Sequence, residues 1–205
     1  SEILSETENN DQRFKLLDIL NHDVQRIERL ITDYSQMLKD EVALSKEKMK
    51  KINLRFVVRS VVDDFNNIYE TKRGIKIELK EKKGINEFLI FGIENRIEQI
   101  IANLLDNSIS FSKDNQKILV FLDKNDKDQI ILKVEDEGRG FKEKNTSKIF
   151  NRFYSNRPEK FGEHSGLGLN IVKNLVELHG GTISASNNIN QKGANVEIIF
   201  PVNWF

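Results

Sequence analysis

Two asparagines stand four residues apart in IIANLLDNSISFS, Asn103 and Asn107. On a helix that spacing sets both carboxamides on one face, with Cβ atoms about 5–6 Å apart. Asparagine is a middling helix former, so the pair either performs a polar task or simply caps and faces solvent. A neutral amide oxygen is a hard ligand, suited to Mg2+ that phosphates already hold. A second group, Asp136-Glu137-Gly138-Arg139-Gly140, directly follows the alternating IILKVE. An acid at a strand end, then two glycines, lets the backbone turn sharply and approach a planar ligand. The Asp136 carboxylate can accept a hydrogen bond from an exocyclic amine such as that of adenine; a plain glycine-rich turn is the alternative. A third group, Ser165-Gly166-Leu167-Gly168-Leu169-Asn170, opens an apolar helical pattern. Glycines at a helix start free N–H groups for an anion, with the helix dipole adding to the attraction; otherwise they make only a tight turn into the helix. The spacing is neither a Walker A loop nor a dinucleotide fingerprint. The fourth, Ile149-Phe150-Asn151-Arg152-Phe153-Tyr154, lies in a polar stretch from about 138 to 165, too long for an ordinary connection. Its aromatics are either plain anchors or the hooks of a lid, from which Arg152, Arg157 and Lys160 could reach phosphates.

Elements able to position these groups are legible in the hydropathy pattern. Helices are expected over 56–69, 94–111 and 167–178, the last ending at Gly180-Gly181. Strands are expected at 75–79, 88–91, 117–122, 129–135, 182–186 and 196–200, with 117–122 and 129–135 joined as a hairpin across NDKD. The fold class is therefore α+β, a layer of helices on a mixed sheet, spanning residues 52–205.

Residues 1–51 follow a different rule. From Arg13 to Lys51 there is neither Gly nor Pro, and Leu17, Leu20, Val24, Ile27, Ile31, Tyr34 and Leu38 step by three and four. That is a heptad seam on one long helix, and a seam needs a partner. Either it forms one arm of a dimeric helical hairpin or it lies on the following domain.

Composition limits the alternatives. Lys+Arg and Asp+Glu are both 32 among 205 residues, which removes the basic surplus of a nucleic-acid binder. With no cysteine, disulfides, thiolate metal sites and thiol nucleophiles are excluded. No apolar run approaches the roughly 20 residues of a membrane span, and SEILSETENNDQ is not a signal peptide. Direct membrane contact by these residues is not expected.

Taken in order, NLLDNSISFS, DEGRG, IFNRFY and SGLGLNIV, followed by HGG, resemble the N, G1, F and G2 boxes of the sensor histidine kinase ATP-binding domain, a two-layer α/β sandwich of the GHKL (Bergerat) class. The resemblance covers about residues 52–201. Upstream, LLDILNHDVQRIERLITDYSQM looks like the second helix of that family's dimerisation hairpin, and the wording is most similar to ChvG/ExoS-type envelope sensors of alphaproteobacteria. The resemblance implies ATP and Mg2+ as cofactors. Asn107 would coordinate Mg2+, Asn103 would support the phosphate side, and Asp136 would read the adenine amine, with Gly138 and Gly140 making room for the ring. Phe150 and Phe153 would seat the lid; Gly166, Leu167, Gly168 and Leu169 would wrap the phosphates. It further implies a homodimer through the hairpin, a response-regulator receiver domain as partner, and a place on the cytoplasmic side of an inner-membrane-anchored bacterial sensor.

Three departures bear on function. Ser110 and Phe111 stand where the family often has Lys and Tyr, and His164 stands where the lid's first glycine is usual. Of the histidines, His22 is followed by Asp23 but by no Pro, while His164 and His179 lie in the lid and at a helix end. The phosphoacceptor is therefore expected on a preceding helix, with residues 1–51 a partial hairpin. Two rival functions remain. ATP hydrolases of this class place a Glu four residues before the metal-binding Asn, where Asn103 stands and cannot take a proton. A dimeric scaffold that binds nucleotide without transferring phosphate is the other.

Overall fold

Lys50 to Asn53 contain one apolar residue, Ile52, yet they form a strand because Leu89 to Gly92, far along the chain, supply an antiparallel partner. The computed structural model describes residues 47–201 other than 143–144, 153, 155–165 and 190–191, together with scattered positions between 13 and 35. Its elements run β1 (Lys50–Asn53), α1 (Leu54–Arg73), β2 (Lys76–Glu81), β3 (Leu89–Gly92), α2 (Glu94–Phe111), β4 (Lys117–Lys124), β5 (Ile130–Asp136), a short 3-10 helix (Thr146–Phe150), α3 (Gly168–Leu178), β6 (Thr182–Asn187) and β7 (Ala194–Phe200).

Five strands make a mixed sheet in the order β2-β4-β5-β7-β6, with β2 and β4 parallel and the other pairs antiparallel. Side chains alternate across it. Ile118, Val120 and Leu122 of β4, Leu132 and Val134 of β5, and Val196, Ile198 and Phe200 of β7 turn to the helices. The residues between them, such as Leu119, Lys133 and Glu197, are half-buried on the other face. The helices meet the sheet with their own apolar stripes: Val57, Val58, Val61 and Val62 of α1, Ile97, Ile101, Leu104 and Leu105 of α2, and Val172, Leu175 and Val176 of α3. Each such side chain removed from water contributes about 1.5–3 kcal/mol. The result is the expected α+β two-layer sandwich. β3 differs from expectation: it pairs only with β1, outside the five-stranded sheet.

The boundaries have local causes. Asn53 caps α1, its Oδ1 accepting from the N–H of Arg55 at 3.3 Å. Gly74, at φ 63°, ends α1 in the left-handed region, its N–H donating to the Glu70 carbonyl. The β4–β5 hairpin turns through Asn125 to Gln129, with Asp128 at φ 62°.

The described positions between 13 and 35 are helical, and the seam residues among them, Leu17, Leu20, Val24, Ile27 and Ile31, are 51–61% exposed. Tyr34, Leu38 and His22 lie outside the described residues. No helix among the described residues is long and apolar enough to cross a membrane.

Candidate functional site

Helix α2 forms one wall of the site. Asn103, Asn107 and Phe111 recur every fourth residue, half-buried on one face, while Leu104, Leu105 and Ser108 turn into the core. The Asn103 Nδ2 donates to the Gln99 carbonyl at 2.9 Å, which fixes the carboxamide and sends its oxygen toward α3. There, a Cβ added to Gly168 would sit 3.4 Å from the Asn103 Oδ1. At the far end of the same face, a Cβ on Gly138 would lie 2.7 Å from the Phe111 carbonyl. Only glycine fits that approach. From Asn103 to Phe111 the helix advances about 12 Å, so one face of α2 joins the GLGL turn to the DEGRG turn.

Asp136 ends β5 at 4% exposure. Its Oδ1 accepts from the N–H groups of Gly138 (2.9 Å) and Ala194 (3.1 Å), and Ser108 of α2 also bonds the carboxylate. Burial pushes the Asp136 pKa above the ordinary carboxyl range, and those hydrogen bonds pull back only in part. A further amide, Asn188, donates from Nδ2 to the Asp136 carbonyl at 2.9 Å. Gly140, at φ 74°, completes the turn beside Asn187, whose Oδ1 accepts from the Phe141 N–H at 2.6 Å and whose Nδ2 donates to the Phe141 carbonyl at 2.9 Å. The Arg139 guanidinium lies 5.1 Å over the Phe111 ring.

At the opposite end, Gly166 takes φ 72° and Leu167 begins α3 without a side-chain cap. Leu167 is wholly buried and Leu169 packs against the core. The leucine side chains thus serve packing, and what this helix start offers a ligand is backbone N–H and the positive end of its dipole. Ile149 and Phe150 of the 3-10 helix are buried, and Thr146 holds that segment to β6 by donating to the Ala185 carbonyl at 2.6 Å. Phe153, Arg157, Lys160, His164 and Ser165 lie outside the described residues.

Of the sequence departures, Ser110 turns into its own helix, its hydroxyl donating to the Asp106 carbonyl at 2.7 Å. His179 is 1% exposed; its Nε2 accepts from the Ile93 N–H at 3.0 Å, so the proton sits on Nδ1, which donates to the Leu175 carbonyl at 2.6 Å. Burial holds its pKa below the ordinary imidazole value.

Sequence reasoning missed Ser108, Asn187, Asn188 and Ala194. Ser108 sits beside Asn107, and that adjacency was its only local signal. The others are brought to Asp136 and to the turn after it by the β5–β7 and β6–β7 pairings together. Among the described residues no cluster of three His, Cys, Asp or Glu could cage a metal ion. The donor set fits instead an amide-and-phosphate-held Mg2+, the regime in which protein supplies few ligands. A buried acceptor at one end and the N–H groups of a helix start at the other suit a ligand with an amine-bearing ring and an anionic tail.

Residues 92–203 match the family described as histidine kinase-, DNA gyrase B- and HSP90-like ATPase, and the chain belongs to that family. Within it the likeness is to sensor kinases. The chain is 35% identical over 192 residues to Sensor protein ChvG of Rhizobium meliloti (strain 1021), covering 91% of this chain and 33% of that protein. The catalytic domain of histidine kinase ThkA superposes with a TM-score of 0.65 at 24% identity, over 76% of this chain and 97% of that one. Histidine kinase ThkA in complex with response regulator protein TrrA gives a TM-score of 0.65 at 22% identity, over 84% of this chain and 48% of that one. The chain spans about a third of the length of the curated relatives it matches.

Proposed function

We propose that residues 52–205 are the catalytic domain of a sensor histidine kinase, binding Mg–ATP and passing the γ-phosphoryl group to a histidine for relay to a response-regulator aspartate. The observation that carries this reading is the single face of α2 that sets Asn103 beside Gly168 and Phe111 beside Gly138. On it, Asp136 takes the adenine amine, Gly138 and Gly140 leave room for the ring, and Gly166 to Leu169 receive the phosphates. Asn107 contributes an amide oxygen to Mg2+, and Phe150 and Phe153 seat the segment between. Mg2+ supplies charge neutralisation; the chain's own part is to position the nucleotide and exclude water, since phosphoryl transfer asks little covalent work of a protein.

Neither nitrogen of His179 is open to a phosphoryl group. With His22 lacking the family's Pro, the acceptor is assigned to a helix that precedes residues 1–51 and pairs with them in a dimeric hairpin. A response-regulator receiver domain as partner is supported by the solved complex of ThkA with response regulator protein TrrA, and the same hairpin is its proposed docking surface. The likeness to Sensor protein ChvG supports a sensor as the parent, and its place on the cytoplasmic side of an anchored sensor is part of the proposal. Hydrolysis is disfavoured, because Asn103 stands where a general base is needed.

Calorimetric titration with a non-hydrolysable ATP analogue and Mg2+ tests the binding step. Saturable heat and a thermal shift are expected, both weakened by chelating the metal. Asn107→Asp is expected to reduce Mg–ATP binding at least tenfold by setting a carboxylate against phosphate; unchanged affinity would remove Asn107 from the metal. The inward-turned Ser110, which offers no cation, favours a second reading, a nucleotide-binding scaffold. Phosphohistidine formation on an added hairpin protein separates the two.

A further inference from the structure

Asn170 follows the GLGL turn and its side chain does not face the site. It is 8% exposed, on the first turn of α3, and its Nδ2 donates to the Phe150 carbonyl at 2.9 Å. Asn174, one turn on, reaches its Oδ1 at 3.5 Å. A buried carboxamide is retained only where its hydrogen bonds are made, and this one spans two elements that nothing local would join. The 3-10 helix is thereby held at both ends, by Thr146 to β6 and by Asn170 to α3. At the other end of α3, His179 is bound to Ile93, the residue that opens α2. Ile93 to Asn103 on α2 spans about 15 Å and Gly168 to His179 on α3 about 16 Å, and with Ile93 bound to His179 and Asn103 beside Gly168 the two helices lie antiparallel nearly in step. His179 fixes one end of that step; at the glycine end, where backbone is most compliant, Asn170 is the polar tie.

We propose that Asn170 is a positioning residue of the nucleotide site: by tying the Phe150 carbonyl to the first turn of α3, it holds the glycine-rich helix start against Asn103, where its N–H groups meet phosphate. This rests on the Mg–ATP reading above. Asn170 touches no ligand and acts through the placement of Gly168 and Leu169. Its loss therefore weakens the phosphate end of binding and leaves the adenine end, built on Asp136, as it was.

The test compares the wild-type chain with Asn170→Leu, isosteric but unable to donate, and Asn170→Ser, too short to reach and too small to overpack. Affinities are measured for adenosine and for a non-hydrolysable ATP analogue with Mg2+, alongside thermal melts. The expected result is an ATP-analogue affinity about 3- to 10-fold weaker in each folded variant, the scale of one hydrogen bond, with adenosine affinity unchanged. Equal losses for both ligands, or no loss for either, overturn the positioning role. If neither variant folds, the wild-type side-chain amide decides: slow proton exchange at Asn170 supports the tie, and solvent-rate exchange overturns it. A wild-type chain that binds no ATP analogue sinks the function itself and this proposal with it, an outcome distinct from equal losses in the variants.

Discussion

Asp136 carries the sharpest conflict between folding and function. The hydrogen bonds that reach it come from neutral donors, two backbone N–H groups and Ser108, while burial pushes its pKa up. A raised carboxyl pKa means the folded chain binds its proton more readily than the unfolded chain does. This group's charged form at neutral pH therefore costs stability, and the cost is relieved as pH falls into the carboxyl range. Asp136→Asn removes the charge and keeps an oxygen for Gly138 and Ala194. Thermal melts at pH 7 should place the variant no lower than wild type, while calorimetry should find adenine-nucleotide affinity reduced at least tenfold. A less stable variant with full affinity would show the carboxylate to be structural.

Between elements, His179 is the joint with a pH signature. Its neutral ring donates to Leu175 of α3 and accepts from Ile93 at the start of α2. Protonation would put a second donor opposite the Ile93 N–H. Because burial lowers its pKa, the unfolded chain takes up a proton near the ordinary value of about 6.5 while the folded chain does not. Stability from this joint is complete above that pH and is lost as pH falls through and below it. Melting temperature should drop between pH 7.5 and 5.5, and His179→Phe, less stable throughout, should drop by less; parallel slopes would remove His179 as the cause. At this scale the sequence was informative wherever a period repeats. α2 was legible to its last residue, Phe111, because its apolar spacing and its two asparagines sit on one continuous helix. β1 was not, since Lys50, Lys51 and Asn53 leave Ile52 as a lone apolar signal and the pairing with β3 is non-local. The same holds within the site. Asn103, Asn107, Asp136 and the glycines are local patterns. Ala194 and Asn188 reach Asp136 only once β5 and β7 are paired, and the Asn170 bond to Phe150 crosses an irregular stretch without periodicity.

For the whole molecule, the same neutral charge total covers two unlike parts. The sandwich buries most of its apolar residues against its own sheet, with Phe56 and Ile189 among the exceptions, whereas Leu17, Leu20, Val24, Ile27 and Ile31 in succession leave half or more of their surface in water. Full burial of each such side chain contributes about 1.5–3 kcal/mol, and a second copy covering the exposed half of that stripe recovers part of it, which favours association. An isolated chain would hold an apolar patch of the kind that drives association. Sedimentation should therefore find the chain dimeric at micromolar concentration, and Leu20→Glu with Ile27→Glu should make it monomeric. Every side chain and glycine proposed to hold nucleotide lies at or beyond Asn103, on elements whose core is complete without the seam. The monomeric double variant should accordingly bind the ATP analogue within about twofold of wild type, since changes at separated sites act independently. A parallel loss of nucleotide affinity would instead mean that dimer contacts shape α2 or α3, and a monomeric wild type would mean that the exposed stripe serves a different surface.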